Sequence, residues 1–394
     1  MSRSSRPPYR NFDRLSLEML EAREVPALFT VNNPIDIVVP GLTNLRQAID
    51  QANAAAGADT INFAAALHFV GSGTALSPVY DTLPTITDDL TIDGTSGVAG
   101  QRANILPAPV PVPQGEGMPP NPPPQFRLFR ITTPAALLPL RVEVFFNGLT
   151  ISGGSASDPA DPNGGAIAMV NATVTLDNCI VTGNRAHGDG GALWATGNPS
   201  LLTLTSNSVV ANNTAGGNGG GIAVTNTSLK LDVGTQVVSN TAGLGGGGIA
   251  AFADGYVGIP GRPFLKLDGS QGLVSVNGNT ALNGDGGGVL VKESNTGAAW
   301  PDVIFDDTSV NSNTARGTAP PAGADWTSGR GGGVAVTGFV TVDSDTNTIV
   351  TGNKQSAPAP TTAPFKLGVY LDTPLILIST FPTNANVFDN EQLP

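Results

Sequence analysis

Apolar and polar residues alternate along most of this chain in runs of three to five residues. Four such runs have a period of two, which predicts short β-strands with one buried face: Val174-Thr175-Leu176, Leu202-Thr203-Leu204, Leu229-Lys230-Leu231 and Val340-Thr341-Val342. Glycine-rich turns separate the runs, and no helical period lies between them. The pattern therefore predicts an all-β chain over most of its length.

One segment near the start has a helical period instead. Leu45, Ala48, Ile49 and Ala52 recur at i, i+3, i+4 and i+7, so they share one helix face. We expect a short helix over about residues 44–55, with Thr43 as N-cap and Gly57 as its stop. Thr60-Ile61-Asn62-Phe63 then alternates like a strand.

From residue 140 onward an asparagine recurs, each with a valine three residues before it, and a glycine pair usually follows. The asparagines are Asn184, Asn213, Asn240, Asn279, Asn313, Asn353 and Asn390. The valines are Val181, Val210, Val237, Val276, Val310, Val350 and Val387. The turn glycines are Gly165, Gly191, Gly220, Gly247, Gly287 and Gly332. The apolar residues after the glycines are Ala166, Ala192, Ile222, Ile249, Val289, Val334 and Val369.

This repeat predicts a solenoid, because periods of about 20–50 residues with strand composition are typical of one. With two or three short strands per repeat and no helix, we expect a single-stranded right-handed parallel β-helix of the pectin-lyase-like kind, capped by the N-terminal helix. Its coils would stack about 4.8 Å apart. Stacked asparagines could then pass amide hydrogen bonds from coil to coil, and the glycines would permit positive φ and close chain approach at a tight corner. Replacing Asn240 with leucine should cost about 1–3 kcal/mol.

The sequence pattern predicts that the chain has four parts. Residues 1–28 form an Arg-rich disordered or targeting segment, residues 29–105 the N-terminal cap and first coils, residues 106–124 a proline-rich loop, and residues 125–394 the repeats. Proline donates nothing to a strand ladder, so the third part cannot be a central strand.

Composition narrows the function. The net charge is −12, charged residues make up 13%, and five of the 19 basic residues lie in the first 25 positions, so no basic stripe exists for nucleic acid. Cys179 is the single cysteine, which excludes an internal disulfide framework. No apolar run reaches the roughly 18 residues of a transmembrane segment. We expect a monomer.

Three segments resemble known bacterial surface proteins. Leu17-Glu18, Leu20-Glu21, Arg23 and Val25-Pro26-Ala27 resemble the Leu-Glu-x-Arg type N-terminal segment of planctomycete exported proteins. The second segment resembles the Cys-Ser-Leu-Arg-Glu-Ala segment that precedes parallel β-helices. It shares Leu45-Arg46, Ala48-Ile49, Ala52-Asn53 and the GADTINF sequence that follows, and it departs from that segment at Asn44 and Gln47. The Gly-Gly-Ala/Ile and x-x-x-Asn repeats over about residues 145–392 resemble those of polymorphic outer-membrane proteins, with valine where those carry phenylalanine.

Several polar residues could bind a metal ion or take part in catalysis instead of having a purely structural role. Calcium is a possible ligand only at Asp189 and Asp285, which precede glycine pairs. We predict no other cofactor and no catalytic residue. A polysaccharide lyase or glycoside hydrolase remains the alternative, and its candidate residues are Asp306, Asp307, Asp343, Asp345, Asp177, Asp189, His187, Arg185 and Arg330. Possible ligand contacts are the loop aromatics Trp326, Trp300 and Tyr256.

The sequence thus favours an exported, non-enzymatic β-helix with a structural or adhesion role, secreted or associated with the cell surface or envelope. Its partners would be extracellular polysaccharide or other surface proteins. Loop insertions at one corner of a solenoid often gather on its recognition side.

Overall fold

A computed structural model describes residues 25–64, 75–79, 81–95, 102–107, 126–138, 140–254, 264–293, 301–317, 329–338, 340–345, 347–355, 369–372, 387–388 and 391–392. The proposed targeting segment and the proline-rich loop fall largely outside these residues, as do Asn390, Trp326, Trp300 and Tyr256.

The strands form four parallel sheets, two with ten strands and two with eight among the described residues. Sheet A contains Leu28–Val31, Asp59–Phe63, Leu90–Asp93, Val142–Asn147, Ala172–Asp177, Leu201–Thr205, Ser228–Asp232, Leu265–Asp268, Asp302–Asp306 and Thr341–Ser344. Sheet B contains Ala75–Val79, Ala103–Pro107, Leu149–Ser152, Ile180–Thr182, Val209–Ala211, Gln236–Val238, Val274–Asn277, Thr308–Asn311, Ile349–Thr351 and Val387–Phe388.

The other two sheets have eight strands each. Sheet C contains Phe129–Thr132, Ile167–Val170, Leu193–Thr196, Ile222–Thr225, Ile249–Phe252, Val289–Lys292, Val334–Thr337 and Val369–Asp372. Sheet D contains Ser155–Ala156, Arg185–Ala186, Thr214–Ala215, Thr241–Ala242, Thr280–Ala281, Thr314–Ala315, Lys354–Gln355 and Glu391–Gln392.

From Phe129 onward the chain visits the sheets in the order C, A, B, D and then begins the next coil. Each strand pairs in parallel with its equivalent one coil earlier and one coil later, so the fold is the predicted parallel β-helix. A coil has four strands rather than two or three. The additional one is the two-residue Thr-Ala segment, which pairs with its equivalents as sheet D.

The core is a continuous apolar column inside the coil. In sheet B the seven predicted valines are in register with one another, from Val181 to Val387. In sheet A the inward positions are occupied by residues such as Val174, Leu202 and Leu229, each at most 2% exposed. In sheet C the register differs by one residue from the prediction in two coils. Ile167 and Leu193, not Ala166 and Ala192, align with Ile222.

The helix is present as predicted and spans Leu45–Ala54. Its four apolar residues Leu45, Ala48, Ile49 and Ala52 are buried. The helix packs against the first two strands of sheet A and covers that end of the core.

The helix has the predicted bounds within one residue at each end, but Thr43 and Gly57 are not the residues that cap and stop it. Asn44, not Thr43, is the N-cap, because its side chain accepts from the backbone N–H of Gln47 at 2.9 Å while the Gln47 Oε1 accepts from the Asn44 N–H. At the other end the helix stops before Ala55, whose extended φ and ψ end the helical path ahead of Gly57.

A short 3-10 turn at Ala135–Leu137 is the other helical element among the described residues.

Candidate functional site

Six of the seven predicted asparagines lie on six consecutive coils, and we call them the asparagine column. In each of the five neighbouring pairs, Nδ2 donates to Oδ1 of the next asparagine at 3.0 Å. The same Oδ1 also accepts from the backbone N–H of the earlier asparagine at 2.9–3.0 Å. All six residues are at most 1% exposed: Asn184, Asn213, Asn240, Asn279, Asn313 and Asn353.

The second amide hydrogen of each asparagine has a partner on the coil before. Asn213 donates to the carbonyl of Val181 at 3.0 Å, and Asn240 donates to that of Val210 at 2.9 Å. The column begins at Asn184, whose Oδ1 accepts from the N–H of Gly154 at 2.8 Å. From Asn184 to Asn313, each amide therefore donates both to a backbone carbonyl and to the next asparagine, and all the Nδ2-to-Oδ1 bonds run in one direction along the axis.

The residue before each asparagine has a left-handed backbone, with φ between 55° and 65°. Glycine, asparagine and serine occupy this position, the small or locally hydrogen-bonding residues that tolerate such a φ: Gly183, Asn212, Ser239, Gly278, Ser312 and Gly352. This turn aims the following asparagine into the coil.

The positive φ and the close chain approach predicted for the turn glycines are divided between the two glycines of each pair. The first glycine has φ between 61° and 67°, and its members are Gly164, Gly190, Gly219, Gly246, Gly286 and Gly331. The second glycine, which the sequence predicted, has no positive φ but lies against the neighbouring coil. A Cβ on Gly191, for example, would overlap the carbonyl oxygen of Gly220 and lie 2.6–2.7 Å from the backbone of Thr214.

A second polar column lies at the corner just before the glycine pair, and we call it the corner column. The Oδ1 of Asn163 accepts from the backbone N–H of Asp189 at 2.8 Å, Asp189 Oδ1 accepts from that of Asn218 at 2.6 Å, and Asn218 Oδ1 accepts from that of Gly245 at 3.1 Å. Here the oxygen belongs to the earlier coil, so its hydrogen bonds run opposite to those of the asparagine column.

The corner column also contains the two residues considered for calcium. Asp285 forms a bidentate ion pair with Arg330 at 2.6–3.2 Å and accepts from its backbone N–H at 2.8 Å. Asp189 and Asp285 lie on different coils, with the coils of Asn218 and Gly245 between them. Within the described residues, no group of three or more His, Cys, Asp or Glu side chains is arranged to hold a metal ion.

Charged residues also gather on the outward face of sheet A. Lys266 Nζ lies 2.7 Å from Asp268 and 3.4 Å from Asp306, which is one coil further on. Lys230 Nζ lies 2.6 Å from Asp232 and 4.0 Å from Asp268. Burial alone would raise the pKa of Asp268, but hydrogen bonds from Lys266 and Ser270 lower it to about 2. The hydrogen bond to Asp268 raises the pKa of Lys266.

The residues considered for catalysis are spread over several faces. Arg185 and His187 are exposed beside sheet D, and Asp177 lies on sheet A. Asp306 ends a sheet A strand, and Asp345 follows the equivalent strand one coil later, where its backbone N–H donates to the carbonyl of Phe305 at 3.1 Å. Asp343 lies within that later strand, in register with Ile304. Asp307 has a φ of 46° after its strand ends and accepts from Asn347 Nδ2 at 2.7 Å.

Cys179 is fully buried between sheets A and B. Its thiol donates to the carbonyls of Phe146 and Asp177 at 3.4 and 3.3 Å. Burial raises its pKa to about 12, so the reactive thiolate is suppressed at neutral pH.

The three aromatic residues proposed as ligand contacts lie outside the described residues, but a fourth, Trp194, was missed by the sequence reasoning. Leu193 and Ala195 point into the core and are at most 1% exposed, so Trp194 points outward from sheet C and is partly exposed. The alternation in Leu193-Trp194-Ala195-Thr196 was the signal that could have identified it.

One stretch of the chain is similar to a known family of repeats. Residues 178–196 match the Chlamydia polymorphic membrane protein repeat. This stretch contains Asn184, its preceding left-handed Gly183, the Gly190-Gly191 pair and the whole of the next sheet C strand, Leu193–Thr196. No curated protein and no solved structure matches the chain. None of the helices that the structure describes has the length and apolar character needed to cross a membrane.

Proposed function

We propose that this chain is an exported, non-enzymatic protein of a cell surface or extracellular matrix, in which the β-helix acts as a rigid rod. The match at residues 178–196 carries the proposal, since a polymorphic membrane protein repeat is a repeat of surface proteins. We further propose that the outward faces and loops contact extracellular polysaccharide or other surface proteins.

The hydrogen bonding of the repeat supports a structural role. The asparagines that recur on six consecutive coils bond from coil to coil, and all of them are buried. A buried, hydrogen-bonded polar column stabilises one arrangement of the chain. The recurring motif is thereby explained without a ligand.

The experiment is to locate the chain on the native host. Intact cells are treated with a protease that does not enter them, and an antibody to the chain follows its loss, with a cytoplasmic protein as the internal control. We expect the chain in the envelope or medium fraction and digested while the control survives. A chain that is protected alongside the cytoplasmic control would contradict the proposal.

A carbohydrate-active enzyme is the second candidate, and one observation favours testing it. Asp306 and Asp345 lie at the same end of sheet A on adjacent coils, where the Asp345 N–H donates to the carbonyl of Phe305 at 3.1 Å, and a retaining glycosidase needs two carboxylates about 5–5.5 Å apart. The purified chain would be incubated with pectin, alginate and chondroitin, and new reducing ends and unsaturated products measured. Activity that is lost in Asp306→Asn and Asp345→Asn but kept in Asp189→Asn would establish this function in place of the first.

A further inference from the structure

The outward face of sheet C carries two partly exposed aromatic residues above a floor of small side chains. Trp194 lies in one outward row between Ala168 and Ala223, and the next coil adds Ala250. These three alanines are at most 1% exposed. The turn glycines cover them, since a Cβ on Gly219 or Gly246 would lie 2.8–2.9 Å from the alanine methyl group. Trp194 alone extends beyond this layer on these four coils.

Phe252 is the second aromatic residue, in the neighbouring outward row. It aligns with Thr225 on the coil before and Lys292 on the coil after, and it is partly exposed. Phe252 lies two coils beyond Trp194, so the two rings are separated by about 10 Å along the axis at about 4.8 Å per coil. Such a distance is spanned by a few linked sugar rings.

We propose that this face, which we call the Trp194 face, binds a neutral polysaccharide that lies along the solenoid axis. The flat faces of Trp194 and Phe252 would contact the apolar faces of sugar rings, and the glycines that cover the alanines carry no side chain that would obstruct the sugar chain. Thr196 and Thr225 lie between the two aromatic residues on the outward row and supply hydroxyl groups. Aromatic surface with a few polar groups is the usual composition of a ligand site.

The charges around the face select against an acidic polysaccharide. Asp189 lies at the corner beside Trp194, and Asp254 follows the strand of Phe252, whereas Lys292 is the basic residue next to Phe252 in the described chain. The whole chain has a net charge of −12. Arg130 lies two coils before Trp194 in the same row and is ion-paired with Asp161. A polyanion would therefore be repelled by the net negative charge of the whole chain, and a neutral chain would not.

This inference rests on the proposed extracellular role, but its test uses the purified full chain and so is independent of location. Native gels are cast with hydroxyethyl cellulose, galactomannan or a β-1,3-glucan, and matched gels with polygalacturonate or alginate. The dissociation constant is obtained from mobility against polysaccharide concentration. We expect retardation in at least one neutral gel and none in the acidic gels.

Three variants identify the site. Trp194→Ala extends the alanine row of its neighbours and Phe252→Thr repeats Thr225, so both should fold. Phe145→Thr is the matched control, because Phe145 is a partly exposed aromatic residue between Thr91 and Thr175 on sheet A. We expect Trp194→Ala to bind about tenfold more weakly, Phe252→Thr to bind more weakly than the wild type, and the control to bind normally.

The remaining outcomes overturn either the inference or the proposed function. Lack of retardation in every neutral gel excludes the ligand class, and retardation only in acidic gels reverses the charge argument. An equal loss in Phe145→Thr and Trp194→Ala shows non-specific binding by surface aromatics. If the chain is found on the cell surface but is not retarded in the gels, only the proposed binding site is refuted. If the chain is retarded in the gels but is found in the cytoplasm, only the proposed function is refuted.

Discussion

Asn240 lies in the middle of the asparagine column, and its replacement by leucine tests what the column contributes to stability. Its Oδ1 accepts from the backbone N–H and from Nδ2 of Asn213, both at 3.0 Å. Its Nδ2 donates to Oδ1 of Asn279 at 3.0 Å and to the carbonyl of Val210 at 2.9 Å. Leucine removes all four bonds from a residue that is 0% exposed.

The magnitude follows from the groups left without a partner. Two N–H groups of Asn213 lose their acceptor, and each such buried group costs about 1–3 kcal/mol, or about 2–6 kcal/mol together. Burial of the leucine side chain returns about 1.5–3 kcal/mol. We therefore expect a net loss of about 2 kcal/mol in the free energy of unfolding.

The assay is thermal and urea unfolding of Asn240→Leu followed by circular dichroism. Asn283→Leu is the matched control, because Asn283 is exposed and its Nδ2 donates to the carbonyl of Gly243 at 3.2 Å. A loss of 1 kcal/mol shifts the melting temperature by about 2–4 °C in domains of 150–250 residues, so we expect a fall of a few degrees for Asn240→Leu alone. Equal melting temperatures for the two variants would show that the column does not stabilise the coil.

Three further predictions follow from other residues. Gly191→Ala should lose about 3 kcal/mol of its free energy of unfolding or fail to fold, because the added methyl group meets backbone atoms that cannot move aside. Gly183→Asn should have the melting temperature of the wild type, since asparagine occupies the equivalent position one coil later. Cys179 should not react with a thiol reagent at about pH 8 until the chain unfolds, because burial raises its pKa to about 12; prompt labelling of the folded chain would refute this. The ionised Asp268 carboxylate, whose pKa is lowered to about 2, should stabilise the fold above about pH 4, and this stability should be lost as the pH falls through about 2. The urea midpoint of Asp268→Asn should therefore depend less on pH in that range than the midpoint of the wild type.

The coil could be predicted because the same number of residues separates the valine from the asparagine in each repeat. Val181, Val210 and Val237 each precede an asparagine by three residues, and the structure aligns them in sheet B. Sheet C was misaligned by one residue at Ile167 and Leu193. In those coils an alanine follows the glycine pair where later coils have a third glycine, so counting from the glycines gave the wrong start.

The surface features could not be predicted in the same way. Lys266 and Asp306 meet because they lie on adjacent coils, and the chain between them includes a turn of variable length that sequence spacing does not resolve. The division of roles between Gly190 and Gly191 also requires backbone angles, since both are glycines in the same motif. Trp194 is an exception, because the alternation of its strand, Leu193–Thr196, is enough to predict its outward direction.

The nearest-neighbour bonding of the asparagine column makes the rod's length adjustable. Asn213 and Asn240 are separated by 27 residues and occupy equivalent places, so excision of residues 213–239 would place Asn240 directly over Asn184 with the same donors and acceptors. The shortened molecule would lose one step of about 4.8 Å and would need no new interface. Changes in reach could therefore arise by gain or loss of whole turns, while the contacts within each turn stay the same.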